Sequence, residues 1–283
     1  MLIDFHTHVF PPWLREQREE FLSRDATFGA LYASPKAVMS TAEELIASMD
    51  GAGVDVSVMA GIGWTDPELA RRCNDYLLEQ AARQPKRLVA LCGASPAWSE
   101  SVLAAELERC AAGGARGVGE LHPDSQRFDL AVKEATAVLM ELARRLGLFV
   151  LTHASEPVGH QYAGKGSATP QVLLAFAQSY PQNTIVAAHW GGGLPFYALM
   201  PEVAEALSNV YFDTAASPFL YQPRIFKLAP EAVGYGRVLF GSDFPLLAQA
   251  RVLRQLREAG LPSEAEDAIA GGNAARLLGI ERS

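Results

Sequence analysis

The sequence predicts an α/β protein, a single (β/α)8 barrel spanning residues 1–283. Three observations predict it. Short apolar runs alternate eight times with segments whose apolar residues keep helical spacing. The runs are apolar almost continuously, which implies burial on both faces and parallel pairing. No G-x-G-x-x-G follows the first run and no composition break marks a second domain, which argues against the rival, an open doubly wound sheet.

The elements follow in order. The first strand is Leu2-Ile3-Asp4-Phe5-His6-Thr7-His8. Pro11-Pro12 stops any regular continuation, and a polar, charged stretch runs to about Ser40. A connector this long suits a lid or binding loop; Phe10 and Trp13 either line a pocket mouth or pin the loop to the barrel. Thr41-Ala42-Glu43-Glu44 has the form of a capping box and opens a helix to about Asp50. The second strand covers 54–60. Asp66-Pro67 starts a helix, in which Leu69, Cys73, Tyr76, Leu77 and Ala81 keep helical spacing. Strand three is 87–92 and its helix about 99–112. Strand four is 115–123, followed by a helix at about 130–146. Strand five is 148–153, with Glu156, His160, Tyr162 and Lys165 on its exit loop, and Thr169-Pro170 opens the next helix. Strand six is 184–189, strand seven 210–214 and strand eight 238–243. Two closing helices carry the chain to Ser283.

Composition narrows the partners. With 49% hydrophobic and 20% charged residues, the 283-residue chain can bury a large core. A formal net charge of −8 leaves no electrostatic footprint for nucleic acid or an anionic membrane. No apolar run reaches the ~18 residues of a membrane span. Cys73, Cys92 and Cys110 are odd in number and lack C-x-x-C spacing, so core packing in a reducing compartment is expected. No signal peptide is expected, and the expected address is the cytoplasm. The expected ligand is a small molecule, for which a carboxylate is compatible if a metal supplies local positive charge. Homo-oligomerisation is left open.

The chemistry gathers at strand ends. In an extended strand His6 and His8 share one face, and two imidazoles on a rigid face make half of a divalent metal site. Glu120, His153, His189 and Asp243 end later strands, and all are metal-ligand or acid–base types. In a barrel these ends face one mouth, where active sites lie. Gly191-Gly192-Gly193 lets the chain turn close to the site or cradles an anion. Trp64, His160, Tyr162, Lys165 and Arg224 fall on mouth loops, and Arg224 has the fork geometry best suited to a substrate carboxylate.

Asp4-Phe5-His6-Thr7-His8, Thr152-His153-Ala154, His189-Trp190-Gly191-Gly192-Gly193-Leu194-Pro195 and Gly241-Ser242-Asp243-Phe244-Pro245 together resemble the amidohydrolase superfamily. The closer resemblance is to its amidohydrolase-2 branch, which includes aminocarboxymuconate-semialdehyde decarboxylase-like proteins. The resemblance implies His6, His8 and His153 as zinc ligands, Asp243 as ligand and proton acceptor, and His189 as a group that orients substrate and water. One Zn2+ or two are implied; imidazole-plus-carboxylate sites also accept Mn2+, Fe2+ or Co2+. Glu120 is expected as a ligand, completing a mononuclear site or bridging two metals with His189 on the second; otherwise it turns outward to a base such as Arg116. His122 is left out, because Pro123 ends the strand beside it. Zn2+ lowers the pKa of a bound water to about 7, and Asp243 is placed to take that proton and pass it on. The first expectation is therefore a metal-dependent hydrolase of a small amide, lactone or ester. The second is a metal-dependent non-oxidative decarboxylase or hydratase of an unsaturated or aromatic acid. The third is a metal-binding scaffold without activity.

Overall fold

A computed structural model describes residues 1–281 and has eight parallel strands in chain order, β1 to β8. These are β1 (Ile3–His8), β2 (Val56–Ala60), β3 (Leu88–Cys92), β4 (Gly117–Leu121), β5 (Phe149–Thr152), β6 (Ile185–Ala187), β7 (Val210–Asp213) and β8 (Val238–Leu239). The ends of the sheet meet. Phe5 N–H donates to the Phe240 carbonyl (2.7 Å), His8 N–H to that of Phe244 (2.6 Å) and Asp243 N–H to that of His6 (2.9 Å). The (β/α)8 barrel expected from periodicity is therefore the fold.

Strand limits differ from expectation where the site begins. The eighth strand stops at Leu239 rather than 243, because Gly241 pairs with the Thr214 side chain through both its N–H and its carbonyl (2.9 and 2.8 Å). The sixth stops at Ala187, because His189 enters the left-handed region at φ 54°. The fourth ends at Leu121, and its pairing with β5 shifts register between Val118 and Leu121. Gly119 lies within that shift at φ 136°, and a Cβ there would collide with the Leu151 carbonyl, so only glycine permits this approach.

The segment expected as a loop holds three short helices, α1 (Pro12–Glu16), α2 (Arg18–Leu22) and α3 (Ala26–Tyr32). Pro12 sits in the first turn of α1, where a missing N–H costs nothing. Asp25 caps α3, accepting from Phe28 N–H (2.9 Å). Phe10 and Trp13 pin this segment. Phe10 packs on Phe28 and Tyr32, and Trp13 meets Phe21 edge-on and carries the Arg72 guanidinium over its ring. The helix α4 (Ala42–Ala52) has the expected capping box: Thr41 Oγ1 accepts from Glu44 N–H (3.4 Å) and Glu44 Oε2 from Thr41 N–H (2.7 Å). Asp66 caps α5 (Pro67–Arg83).

The barrel interior is filled by Phe5, Val58, Leu91, Phe149, Leu151, Val186 and Leu239, all buried. That packing holds the strand ends rigid. The three cysteines are buried and free. The closing region has helices at Gln249–Glu258 and Asn273–Leu278 with two short helical segments between, Ser263–Asp267 and Ala268–Gly272; residues 282 and 283, to which it was expected to run, lie outside the described residues. Among the described residues, no helix is long and apolar enough to cross a membrane.

Candidate metal centre

β1 delivers His6 and His8 to one face, and their neighbours assign their protons. His6 Nδ1–H donates to Asp213 Oδ2 (2.7 Å), and His8 Nδ1–H to the Ala60 carbonyl (3.2 Å). Both Nε2 atoms are thereby left as lone-pair donors, 3.0 Å apart. Two lone pairs cannot face each other at that distance without a proton or a cation between them. Burial opposes charge on His6, but the Asp213 and Glu120 carboxylates outweigh it and hold its pKa well above the ordinary value.

Glu120, at the end of β4, is buried and points inward. Its Oε2 lies 3.5 Å from Nε2 of both His6 and His8, and 3.2 Å from His122 Nε2. Its Oε1 lies 3.0 Å from His153 Nδ1 and 3.4 Å from His189 Nε2. Five of the chain's six histidines thus surround one carboxylate. Burial pushes the Glu120 carboxyl up, but His122, His6 and His153 override it and hold it well below the usual range. The outward alternative fails, since Arg116 donates to the Leu278 carbonyl instead (2.7 Å).

Asp243 arrives from the turn after β8, at φ 67°. Its Oδ1 is 3.6 Å from His8 Nε2 and 3.9 Å from His6 Nε2. Asp4 holds that turn, accepting from Ser242 N–H (2.9 Å), Ser242 Oγ–H (2.6 Å) and Gln249 Nε2 (2.8 Å). Burial nevertheless pushes the Asp4 carboxyl up to about 6.

His189 and Trp190 are non-glycine residues at φ 54° and 59°, followed by three glycines also at positive φ. A Cβ on Gly192 would strike the Ser155 carbonyl, so the triple glycine serves the turn. The strained backbone aims His189 inward. Its N–H donates to Asp213 Oδ1 (2.9 Å) and its Nδ1–H to the Ala215 carbonyl (3.2 Å). Burial disfavours its charge, but Glu120 prevails and pushes it up to about 9. His153 goes the other way, held below its ordinary value by burial.

All six residues singled out from the sequence, His6, His8, Glu120, His153, His189 and Asp243, therefore converge. His6, His8 and Asp243 form one group whose donor atoms lie within 4.8 Å of one another, and Glu120, His122 and His153 form another. The set of imidazole nitrogens and carboxylate oxygens, with the Nδ1 atoms of His6, His8 and His189 anchored behind it, fits a divalent cation. Zinc, manganese and iron all suit such donors.

Sequence reasoning missed three contributors. His122 was set aside, yet it stacks on His153 (4.9 Å between rings) and reaches Glu120; its place two residues beyond Glu120 was the available signal. Asp213 ends β7 as the other site residues end their strands, so the same rule could have found it. Asp4 gave no signal beyond its place in the first strand. Other candidates fall elsewhere. Arg224 is exposed, Trp64 is buried against Phe28, and Lys165 donates to the Val158 and His160 carbonyls.

Above the imidazoles lies a cavity of about 300 Å³, within the range of small-ligand pockets. His8, Glu120, His122, His153, His189 and Asp243 line it together with Tyr32, Ile62, Tyr162, Phe219, Leu220 and Leu246. His160 is also at its edge. Among the described residues, no lysine or arginine lines it. The cavity is thus flanked by apolar and aromatic side chains, with positive charge available only from imidazoles and a cation.

Comparison with known proteins places this geometry. A family model described as amidohydrolase matches residues 3–280. The 6-methylsalicylic acid decarboxylase of Penicillium expansum is 25% identical, over 98% of this chain and 95% of its own length. The gamma-resorcylate decarboxylase of a Polaromonas species is 22% identical, over 76% and 77%. Among solved structures, 5-carboxyvanillate decarboxylase of Novosphingobium aromaticivorans, complexed with manganese and 4-hydroxy-3-methoxy-5-nitrobenzoic acid, superposes with a TM-score of 0.78. It is 18% identical and covers 99% of this chain and 97% of that one.

Proposed function

The chain belongs to the amidohydrolase family, as an enzyme of its amidohydrolase-2 branch, and from that premise we propose that it is a metal-dependent, non-oxidative decarboxylase of a hydroxylated aromatic carboxylic acid. The observation that carries this reading is the near full-length similarity to a 6-methylsalicylic acid decarboxylase. The cavity supports it, being apolar-walled and, among the described residues, free of lysine and arginine over a histidine-rich floor. Hydrolysis of an amide, lactone or ester, the first expectation from the sequence, is less well supported than its alternative.

His6, His8, His153 and Asp243 would hold the cation, with Glu120 as a further carboxylate donor; zinc and manganese both suit the set. When bound, the ion supplies Lewis-acid charge beside the substrate's oxygens. His189, whose charged form the neighbouring Glu120 carboxylate favours, stands at the same floor and can donate to an anionic carboxylate. Asp243, having first taken up a proton from solvent, hands it to the ring carbon that bears the carboxylate. The bond from that carbon to the carboxyl carbon then breaks, its electron pair returns to the ring, and carbon dioxide leaves. The sum is one proton consumed, one arene and one carbon dioxide formed. Apolar walls exclude water and strengthen each charge interaction. The whole chain acts as one barrel domain, and its buried free cysteines suit a reducing, cytoplasmic compartment.

The test is a turnover screen of the manganese- and zinc-loaded protein. The substrates are 6-methylsalicylate, gamma-resorcylate and 5-carboxyvanillate, beside simple amides, esters and lactones. The expected result is carbon dioxide released in step with the decarboxylated arene. Hydrolysis of an ester or lactone with no carbon dioxide from any acid would overturn the reading.

A further inference from the structure

We propose that Tyr32 selects the substrate, its phenol donating a hydrogen bond to a ring-bound oxygen of the aromatic acid. The inference deepens the decarboxylase reading and rests on it for the ligand's chemistry. Tyr32 is the last residue of α3, only 9% exposed, and lines the same cavity as His8, Glu120 and Asp243. Its carbonyl accepts from the Arg18 guanidinium, but its hydroxyl has no hydrogen-bond partner among the described residues.

The ring is held firmly. It stacks on Phe28 (5.2 Å between centroids, 22°) and meets Phe10 edge-on (4.9 Å), while Phe28 stacks on Trp64 (5.9 Å). A tyrosine wedged in this way presents its hydroxyl at a fixed place for little entropy. With no partner among the described residues, the hydroxyl on the cavity wall is free to donate to a ligand oxygen that enters. Burial, together with the Asp243 and Glu120 carboxylates, pushes the phenol's pKa up, so it remains a neutral O–H donor.

The alternatives on the walls are few. The Tyr162 hydroxyl already donates to Glu156 Oε2 (2.9 Å), and among the described residues no lysine or arginine lines the cavity. Imidazoles and a cation serve the carboxylate. A neutral donor suits a second oxygen, the one that distinguishes a hydroxybenzoate from benzoate.

Tyr32→Phe keeps the ring and its stacking. The experiment measures calorimetric binding of 2-hydroxybenzoate, 2,6-dihydroxybenzoate and benzoate to the metal-loaded wild type and variant, with melting temperatures as a fold check. A single neutral hydrogen bond predicts about 2- to 10-fold weaker binding of the two hydroxylated acids and unchanged binding of benzoate. Equal weakening of all three, or none, overturns the assignment. Carbon dioxide release is measured on the same samples. Tyr32-dependent binding without release refutes the decarboxylase reading and leaves the assignment standing. Release with Tyr32-independent binding does the reverse. No binding of either hydroxybenzoate to the wild type overturns both.

Discussion

Asparagine at position 213 probes how His6 is set up to bind a cation. Asp213 Oδ1 accepts two backbone N–H groups, from His189 (2.9 Å) and Ala215 (3.0 Å), while Oδ2 accepts from His6 Nδ1–H at 2.7 Å. In Asp213→Asn the amide oxygen must stay with the two N–H groups, so the NH2 turns to His6. An NH2 donates, which forces His6 Nδ1 to accept and moves the ring proton to Nε2. That is the atom facing His8 Nε2 at 3.0 Å, and it loses its lone pair for metal. Replacing such a partner of a metal-binding histidine typically costs 10–100-fold in metal affinity, roughly 1.4–2.7 kcal/mol. Removal of a hydrogen bond to a buried charge also costs folding stability, on the order of 1.5–3 kcal/mol. The assay is competition with a chelator of known affinity, with manganese and then zinc, on protein shown folded by circular dichroism. An affinity within about threefold of wild type would refute the tautomer argument.

Two further outcomes are expected. Asp243→Asn should abolish turnover while keeping much of the metal, because His6, His8, His153 and Glu120 remain; metal analysis beside a rate measurement checks this, and near-normal turnover would count against the proton role. Away from the site, Glu106 Oε1 and Oε2 accept from Arg109 (2.8 and 2.9 Å), and Oε1 also from Asn74 (2.7 Å). Burial opposes the Glu106 charge, but Arg109 and Asn74 prevail and lower its pKa below the ordinary 4.5. A lowered carboxyl stabilises the fold fully above pH 4.5 and ceases to do so as pH falls through its folded-state value. Glu106→Gln should therefore lose about 1–2 kcal/mol at pH 7 and flatten the acid limb of stability against pH, as read by urea unfolding.

Much of the architecture could be read from residue order, because period and burial leave local signatures. Eight apolar runs mark eight strands, and Thr41 with Glu44, or Asp66 with Pro67, mark helix starts by chemistry confined to a few residues. The converging site residues were visible for a similar reason: the barrel turns strand ends into neighbours, so end position alone locates them. What stayed hidden depends on contacts between distant segments. Nothing near Tyr32 announces that it will share a cavity with Asp243. The bond from Asp213 to His6 joins residues 207 apart. Arg224 looked suited to a carboxylate because its side-chain chemistry is visible, whereas its exposure depends on the fold. The long segment after β1 concealed three short helices, since elements of five to seven residues carry little periodicity.

The seam between β8 and β1 ties cation binding to closure of the barrel. His6 and His8 stand on the first strand and Asp243 just beyond the eighth, and the Phe5–Phe240 and His8–Phe244 bonds make them neighbours. The full donor set therefore exists only when the last strand has docked on the first. A chain whose eighth strand cannot dock should hold the cation more weakly, however well its other strands form.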